Sequence, residues 1–408
     1  MNESKNNISK DLQLNVLYTN IGRGHPFYLD GIMETMINQG TIDLVKSEKD
    51  VFEISQGKAL YAWKTARWMY KHSSSGILRR LYSLIRSNRD YNQRNRLMTI
   101  MGRDILCHFD NVNALLLVAH PLLVGILAGR NRLVYQHGEM VMPSEALVLG
   151  ADTVFVPTQN VADKFISAGY KSNEVVVTGL CIEPSLVCQA NDAFDIRKQR
   201  FQKNEPLTGV FFSSGAEPSV HVHKLVTAVL SVLKNNGKAI IIAQHGGKLD
   251  RAIRTAFRTV RFNLKIINSA DIIPSDLPVS GQTGLPKTLL VLYNSRREEN
   301  SSTAHFFKSF DYLVAPAHER TNWAMGLGLP MFIVDPAIGP YAPLNAELLV
   351  QSGVGEILNA EIDCQQLGVC VRRYHSNGRL LEMAERGRSR DIDGFLRIAN
   401  YLISKYDE

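Results

Sequence analysis

Cysteine is scarce in this sequence: five in 408 residues (Cys107, Cys181, Cys188, Cys364 and Cys370), none in a CxxC spacing. That removes the common thiolate-zinc and dithiol redox patterns, and the five read as reduced thiols of a cytoplasmic protein. A long hydrophobic run is also missing. The longest, Ala114 to Gly129, holds His120 and Pro121 and is short for a membrane span. Met1 to Asp11 is polar, so no secretory signal is expected. Metal ligands do not cluster: His221 and His223 stand two apart on a helical pattern, a spacing that does not converge on one ion. No metal and no bound cofactor are expected. Acid is short between Lys58 and Arg96, where Asp90 stands alone against Lys64, Arg67, Lys71, Arg79, Arg80, Arg86, Arg89 and Arg94.

What is present fits a globular protein, with 45% hydrophobic and 21% charged residues and a net charge of +7. The length exceeds one ordinary core, so two domains of roughly 150–200 residues are expected. Within the basic stretch, helical spacing puts Leu78, Leu81, Tyr82 and Ile85 on one face and Arg79, Arg80 and Arg86 away from it. Two readings stand: a core-packed helix with a solvated basic face, or a helix lying on an anionic membrane surface. Nucleic acid is not expected as a partner.

Strand signals fall at Leu14–Tyr18, Ile42–Lys46, Val51–Ile54, Ala114–Ala119, Arg132–Tyr135, Thr153–Pro157 and Glu174–Thr178, with helical patterns between them. A polar stretch breaks the rhythm, which resumes at Leu207–Phe212, Ala239–Ala243, Leu264–Ile267, Thr288–Leu292, Tyr312–Ala315 and Met331–Val334. Strands alternating with helices predict parallel sheets covered on both faces. The fold class is α/β, with two Rossmann-like doubly wound domains facing across a cleft. The expected division is a disordered tail at 1–11, a first domain at 12–182, a linker at 183–206, a second domain at 207–385, and a C-terminal helix at 386–408 packing back on the first domain.

Two places carry chemistry. The first is the turn after the first strand, Gly22-Arg23-Gly24-His25-Pro26. Glycines let a ligand approach, the helix behind points its N–H groups at the same space, and His25 exchanges a proton near neutral pH. A complete GxGxxG is absent, so this is no dinucleotide fingerprint. The second is Ala315-Pro316-Ala317-His318-Glu319-Arg320-Thr321-Asn322, which ends a strand and opens a helix, predicting a diphosphate seat at Arg320–Asn322. Ser213-Ser214-Gly215 can offer hydroxyls and N–H groups to phosphate, and Gln244-His245 ends a neighbouring strand. At the late strands of the first domain, His137 and Glu139 stand at a strand end suited to acceptor contact.

Together these motifs resemble the GT-B glycosyltransferases, most closely the group of the peptidoglycan lipid-intermediate N-acetylglucosaminyltransferase and the diacylglycerol glycosyltransferases. The resemblance runs from about Leu14 to about Glu356 and is anchored by Gly22-Arg23-Gly24-His25, Val177-Thr178-Gly179-Leu180, Gly328-Leu329-Pro330 and Asn345-Ala346. It implies an inverting, metal-independent transferase that moves a sugar from a nucleotide-diphosphate donor, UDP-linked, to an acceptor hydroxyl. His25 is then the general base, with Gly22, Arg23, Gly24, His137 and Glu139 at the acceptor. Ser213, Ser214, Gly215, Gln244, His245, His318, Glu319, Arg320, Thr321, Asn322, Tyr341 and Asn345 hold the donor. The implied partners are a nucleotide sugar, a glycan or lipid-linked acceptor, and an anionic membrane surface through Lys58–Arg96, at the cytoplasmic face. Trp323 stands where the family places its ribose-binding glutamate, and Tyr341 and Ala342 where it places sugar-binding glutamines. Those departures keep two alternatives open: a nucleotide-sugar 2-epimerase or hydrolase of the same fold, and a non-catalytic sugar-nucleotide-binding protein.

Overall fold

The computed structural model describes residues 14–22, 24–72, 90–110, 115–130, 132–203, 205–260, 262–272 and 286–407. The chain divides into two compact units, Met1–Pro184 with Asp393–Glu408, and Ser185–Ile392. Each is a parallel sheet with helices between its strands, the predicted doubly wound class.

In the first unit the strands are β1 Leu14–Tyr18, β2 Val45–Asp50, β3 Leu115–Val118, β4 Arg132–Gln136, β5 Thr153–Val156 and β6 Val175–Val177. Their order is β2-β1-β3-β4-β5-β6, so the sheet changes winding direction between β1 and β3. β1 and β3 are buried at every position, as a parallel sheet covered on both faces requires. The apolar run Ala114–Gly129 becomes β3 and the helix Pro121–Leu127, whose seven residues are all buried. At the edge, β2 exposes Lys46 and Glu48, charges that discourage pairing with another chain. The strand expected at Val51–Ile54 is instead a short helix. Asp50 caps it, its carboxylate accepting the Phe52 N–H at 2.8 Å.

The last helix, Gly394–Asp407, belongs to this unit and packs on the helix Gly24–Asn38. Phe395 lies where a Cβ on Gly31 would come within 2.2 Å of its ring, so only glycine fits at 31. Phe395 is 1% exposed, a burial that contributes on the order of 1.5–3 kcal/mol.

The second unit holds β7 Thr208–Phe212, β8 Lys238–Gln244, β9 Lys265–Asn268, β10 Thr288–Tyr293, β11 Tyr312–Ala315, β12 Met331–Val334 and β13 Gly355–Leu358. The order β13-β12-β11-β7-β8-β10-β9 reverses direction between β7 and β11. The stretch expected as a linker, 183–206, is corrected here: most of it is the helix Ala190–Gln202, fastened into this unit. Arg197 is fully buried and donates to the carbonyls of Phe310 (2.9 Å), Leu327 (3.0 Å) and Gly328 (2.9 Å). Burial pushes its guanidinium down to about 9, still protonated at neutral pH. Arg200 pairs with the buried Asp311 at 2.6 Å, so both arginines of the stretch are tied into this unit.

The amphipathic pattern at Leu78–Ile85 lies outside the described residues. The described part of that segment, the helix Gly57–His72, buries Trp63, whose indole N–H donates to the Met101 carbonyl at 3.0 Å. Tyr61 and Trp68 on the same helix are exposed. Among the described residues no helix is long and apolar enough to cross a membrane.

Candidate functional site

In open α/β sheets ligands gather beyond the carboxyl ends of the strands, where the winding reverses. In the first unit that place follows β1 and β3. The turn after β1 is held by Asp50 at the end of β2, whose carboxylate accepts from the Asn20 N–H (3.1 Å) and from the Asn20 side-chain amide. Gly22 is constrained by a neighbour: a Cβ there would come within 3.0 Å of the Tyr70 ring. Neither Gly22 nor Gly24 has positive φ, so backbone freedom is not why glycine is needed at this turn. Arg23 lies outside the described residues.

His25 sits in the first turn of the helix Gly24–Asn38, half-exposed. Its ring centroid is 4.3 Å from that of His120, which follows β3 and is 6% exposed. His120 was not among the residues expected at the site. Its structural duty is real: Nδ1 accepts the Leu122 N–H at 3.1 Å and caps the helix Pro121–Leu127. That bond keeps the lone pair on Nδ1 and leaves the proton on Nε2. His120 is thus held in place beside His25, at the point where the sheet reverses.

His137 and Glu139, expected at the acceptor, are both buried. His137 packs against Phe165 and Tyr135, and its Nε2 donates to the Val141 carbonyl at 3.2 Å. Burial pushes its imidazole down to about 4, with the carbonyl of Val141 opposing. It is a neutral packed residue near pH 7. Glu139, Glu145 and Glu183 are buried carboxylates in the loops after β4 and β6, at 8%, 3% and 2% exposure.

In the second unit the reversal lies between β7 and β11, and the loops after these strands hold most of the expected donor residues. One correction concerns Arg320. Its guanidinium is buried, paired with Glu299 and with Glu319 (3.3 Å), and stacked 4.0 Å from the Phe212 ring centroid. Glu319 is therefore engaged within the protein, and Arg320 is not a surface cation awaiting phosphate. The short helix Thr321–Gly326 likewise has its first N–H groups bonded within the turn, Thr321 to His318 (2.9 Å) and Trp323 to Arg320 (3.0 Å). Trp323 packs edge-on against Phe212 at 5.7 Å and is 1% exposed, filling core where a ribose-binding carboxylate was sought.

Hydroxyls and imidazoles remain. Among the described residues, buried Thr321 Oγ1, Ser213 Oγ and His221 Nδ1 have no hydrogen-bond partner. His221 Nε2 donates to the Pro336 carbonyl at 2.8 Å, so Nδ1 carries a lone pair. Burial pushes His221 down to about 4, and pushes His318 below its ordinary value against the pull of Glu319. The region presents neutral imidazoles rather than cations. Asn345, on the helix Tyr341–Gln351, donates to the Ala317 carbonyl at 3.4 Å and so reaches the loop after β11; Tyr341 opens that helix.

Ser214 and Gly215 shape the loop after β7, which ends with Glu217. The Glu217 carboxylate accepts from the Lys248 and Leu249 N–H groups, so the N-terminus of the helix Lys248–Val260 already has its anion. Gln244 ends β8 and His245 follows it, both exposed. Gly328 takes φ +60, and a Cβ there would meet the Ala384 carbonyl at 2.6 Å, which accounts for the glycine before Leu329-Pro330 by packing. Among the described residues no three His, Cys, Asp or Glu side chains converge as a metal site.

No family model matches the sequence, and a search of curated proteins finds no match. Solved structures are similar in fold. The UDP co-structure of S. aureus MnaA is 10% identical, with 97% of each chain covered and a TM-score of 0.53. UDP-GlcNAc 2-epimerase from Neisseria meningitidis, bound to UDP-GlcNAc, is 10% identical, with 96% of this chain and 100% of that one covered and a TM-score of 0.53. At these identities the likeness shows the fold: two Rossmann-like domains of the GT-B type.

Proposed function

We propose that this chain binds a nucleotide-diphosphate sugar, UDP-linked, at the reversal point of its second unit and transfers the sugar to an acceptor hydroxyl with inversion. The observation that carries the reading is the set of buried polar atoms at Thr321, Ser213 and His221 that have no hydrogen-bond partner among the described residues. Such atoms are destabilising unless something bonds them, and they follow the strands where this fold seats ligands. The fold neighbours named above were crystallised with UDP and UDP-GlcNAc, which supports the same ligand class here.

The reaction then divides by residue. Thr321 and Ser213 hydroxyls donate to the diphosphate, stabilising the charge that grows on it as the glycosidic bond breaks. His221 Nδ1, an acceptor only, suits an O–H of the bound molecule rather than a phosphate oxygen. His25 takes the acceptor's proton as that oxygen attacks the anomeric carbon, with the His120 ring packed beside it. The acceptor is a glycan or lipid-linked hydroxyl.

Calorimetry with a panel of nucleotide sugars tests the donor assignment. Saturable binding of a UDP-sugar is expected, weakened about tenfold by Thr321→Val, the loss of one hydrogen bond to a charged group. Failure of every nucleotide sugar to bind would overturn the donor assignment. A second reading, 2-epimerisation or hydrolysis of the donor, is favoured by the buried carboxylates Glu139, Glu145 and Glu183. Incubating the donor without acceptor separates the two: epimer or free sugar would replace the transferase reading.

A further inference from the structure

The helices that follow β7 and β8, Ser219–Lys234 and Lys248–Val260, lie side by side and leave a groove of about 570 Å³ between them. Helical spacing explains why the groove is there. On the second helix Leu249, Ile253 and Phe257 recur every fourth residue and are buried in the core. The neighbouring stripe, Ala252 and Ala256, lines the groove opposite Val222 and Val226. Its methyl groups are too short to close the gap. Val222 is buried and the other three are half-buried, so the floor is apolar and open to solvent.

The rim carries one sign of charge. Lys248 and Arg251 line it, both exposed, and among the described residues neither side chain has an ion-pair partner. No described acid lines the groove, and the acids nearby are engaged within the protein. The Glu217 carboxylate accepts from the Lys248 and Leu249 N–H groups. Asp250 pairs with Arg254 at 2.5 Å, and Glu361 lies 3.4 Å from His223.

An apolar trough with two cations on its edge complements an anion that carries a hydrocarbon chain. A planar carboxylate matches the Arg251 fork, and Lys248 adds a second charge. The lined stretches, from Ser219 to Val226 and from Lys248 to Ala256, run about 10–12 Å at 1.5 Å per residue. That length suits a medium chain rather than a long one. The volume falls in the range of about 300–1,000 Å³ common to small-molecule sites.

We infer that this groove binds a free medium-chain fatty carboxylate, with its head at Lys248 and Arg251 and its chain over Val222, Val226, Ala252 and Ala256. The groove shares no residue with the atoms proposed to hold the donor, so the inference stands apart from that reading.

Titration calorimetry of the full chain with octanoate in low-salt buffer tests it. Octylammonium serves as the cationic match, and butyrate as the head with little chain. Wild-type protein is expected to bind octanoate saturably and about tenfold more tightly than octylammonium, because the two cations attract one head and repel the other. Butyrate should bind at least about tenfold more weakly, since each buried CH₂ is worth about fourfold. Lys248→Gln combined with Arg251→Gln should bring octanoate and octylammonium within about threefold of each other. Ala256→Trp should fill the trough and weaken octanoate at least about tenfold, with its melting temperature confirming that it folds. Octanoate that fails to saturate, or that binds no better than octylammonium or butyrate, overturns the inference. So does an unchanged preference in the double variant, or undiminished octanoate binding by folded Ala256→Trp. Should Ala256→Trp not fold, the double variant decides alone.

Discussion

Replacing His25 with alanine is expected to lower turnover by about 10²–10⁴-fold, the usual contribution of a positioned general base. Donor affinity should stay within about twofold, because the atoms proposed to hold the donor belong to the other unit. Initial rates and calorimetry on the same preparation check both halves. His25 is half-exposed and starts a helix, so its removal opens no core cavity, and lost activity reports chemistry rather than folding. Turnover within a few fold of wild type would remove His25 from the reaction. His120→Ala is the less informative variant, since it also removes the cap on Leu122.

The second large effect concerns acid. His137 and His221 are each held at about 4 against an ordinary 6.5 by burial. Their native state favours the neutral ring, whereas the unfolded chain takes up a proton below about 6.5. Stability is therefore full above pH 6.5 and falls as the pH drops towards 4. Each histidine removes on the order of 1.4 kcal/mol per pH unit across that window, or about 3 kcal/mol in total. His318 shifts in the same direction and adds to the slope. Urea midpoints at pH 7.5, 6 and 5 should fall steeply, and His137→Gln should flatten the decline of the first unit. Its amide still donates to Val141 but cannot titrate. Equal midpoints at pH 7.5 and 5 would show that these rings do not control acid stability.

Most of the strands were legible because fully buried parallel strands are short apolar runs bounded by turn residues. β11 and β12 fall on the predicted residues, and β1 does as well. β13 escaped notice, since Gly355-Glu356-Ile357-Leu358 carries a glycine and a charge in four residues. The helix Ala190–Gln202 was misread for a deeper reason. Its arginines look solvated along the chain, and their partners stand more than a hundred residues away. Arg320 shows the same limit at a site. A basic residue beside a helix start predicts phosphate, but Glu299 from another helix had already claimed it. His25 was visible from its turn. His120 was not, because the neighbour that matters lies 4.3 Å away in space and far away in sequence.

The first unit is assembled from both ends of the described chain. Its helix Gly24–Asn38 is covered by Gly394–Asp407, with Phe27 and Phe395 ring centroids 5.8 Å apart and Gln39 donating to Asn400 at 2.8 Å. During synthesis the six strands of that sheet leave the ribosome long before residue 394 is made. At about 5–20 residues per second, the interval between residues 184 and 394 is on the order of 10–40 s. For that time Phe27 and Ile32 have no cover from the closing helix. The second unit, continuous from Ser185 to Ile392, is complete before the first one is. The order of birth is thus inverted in the order of completion.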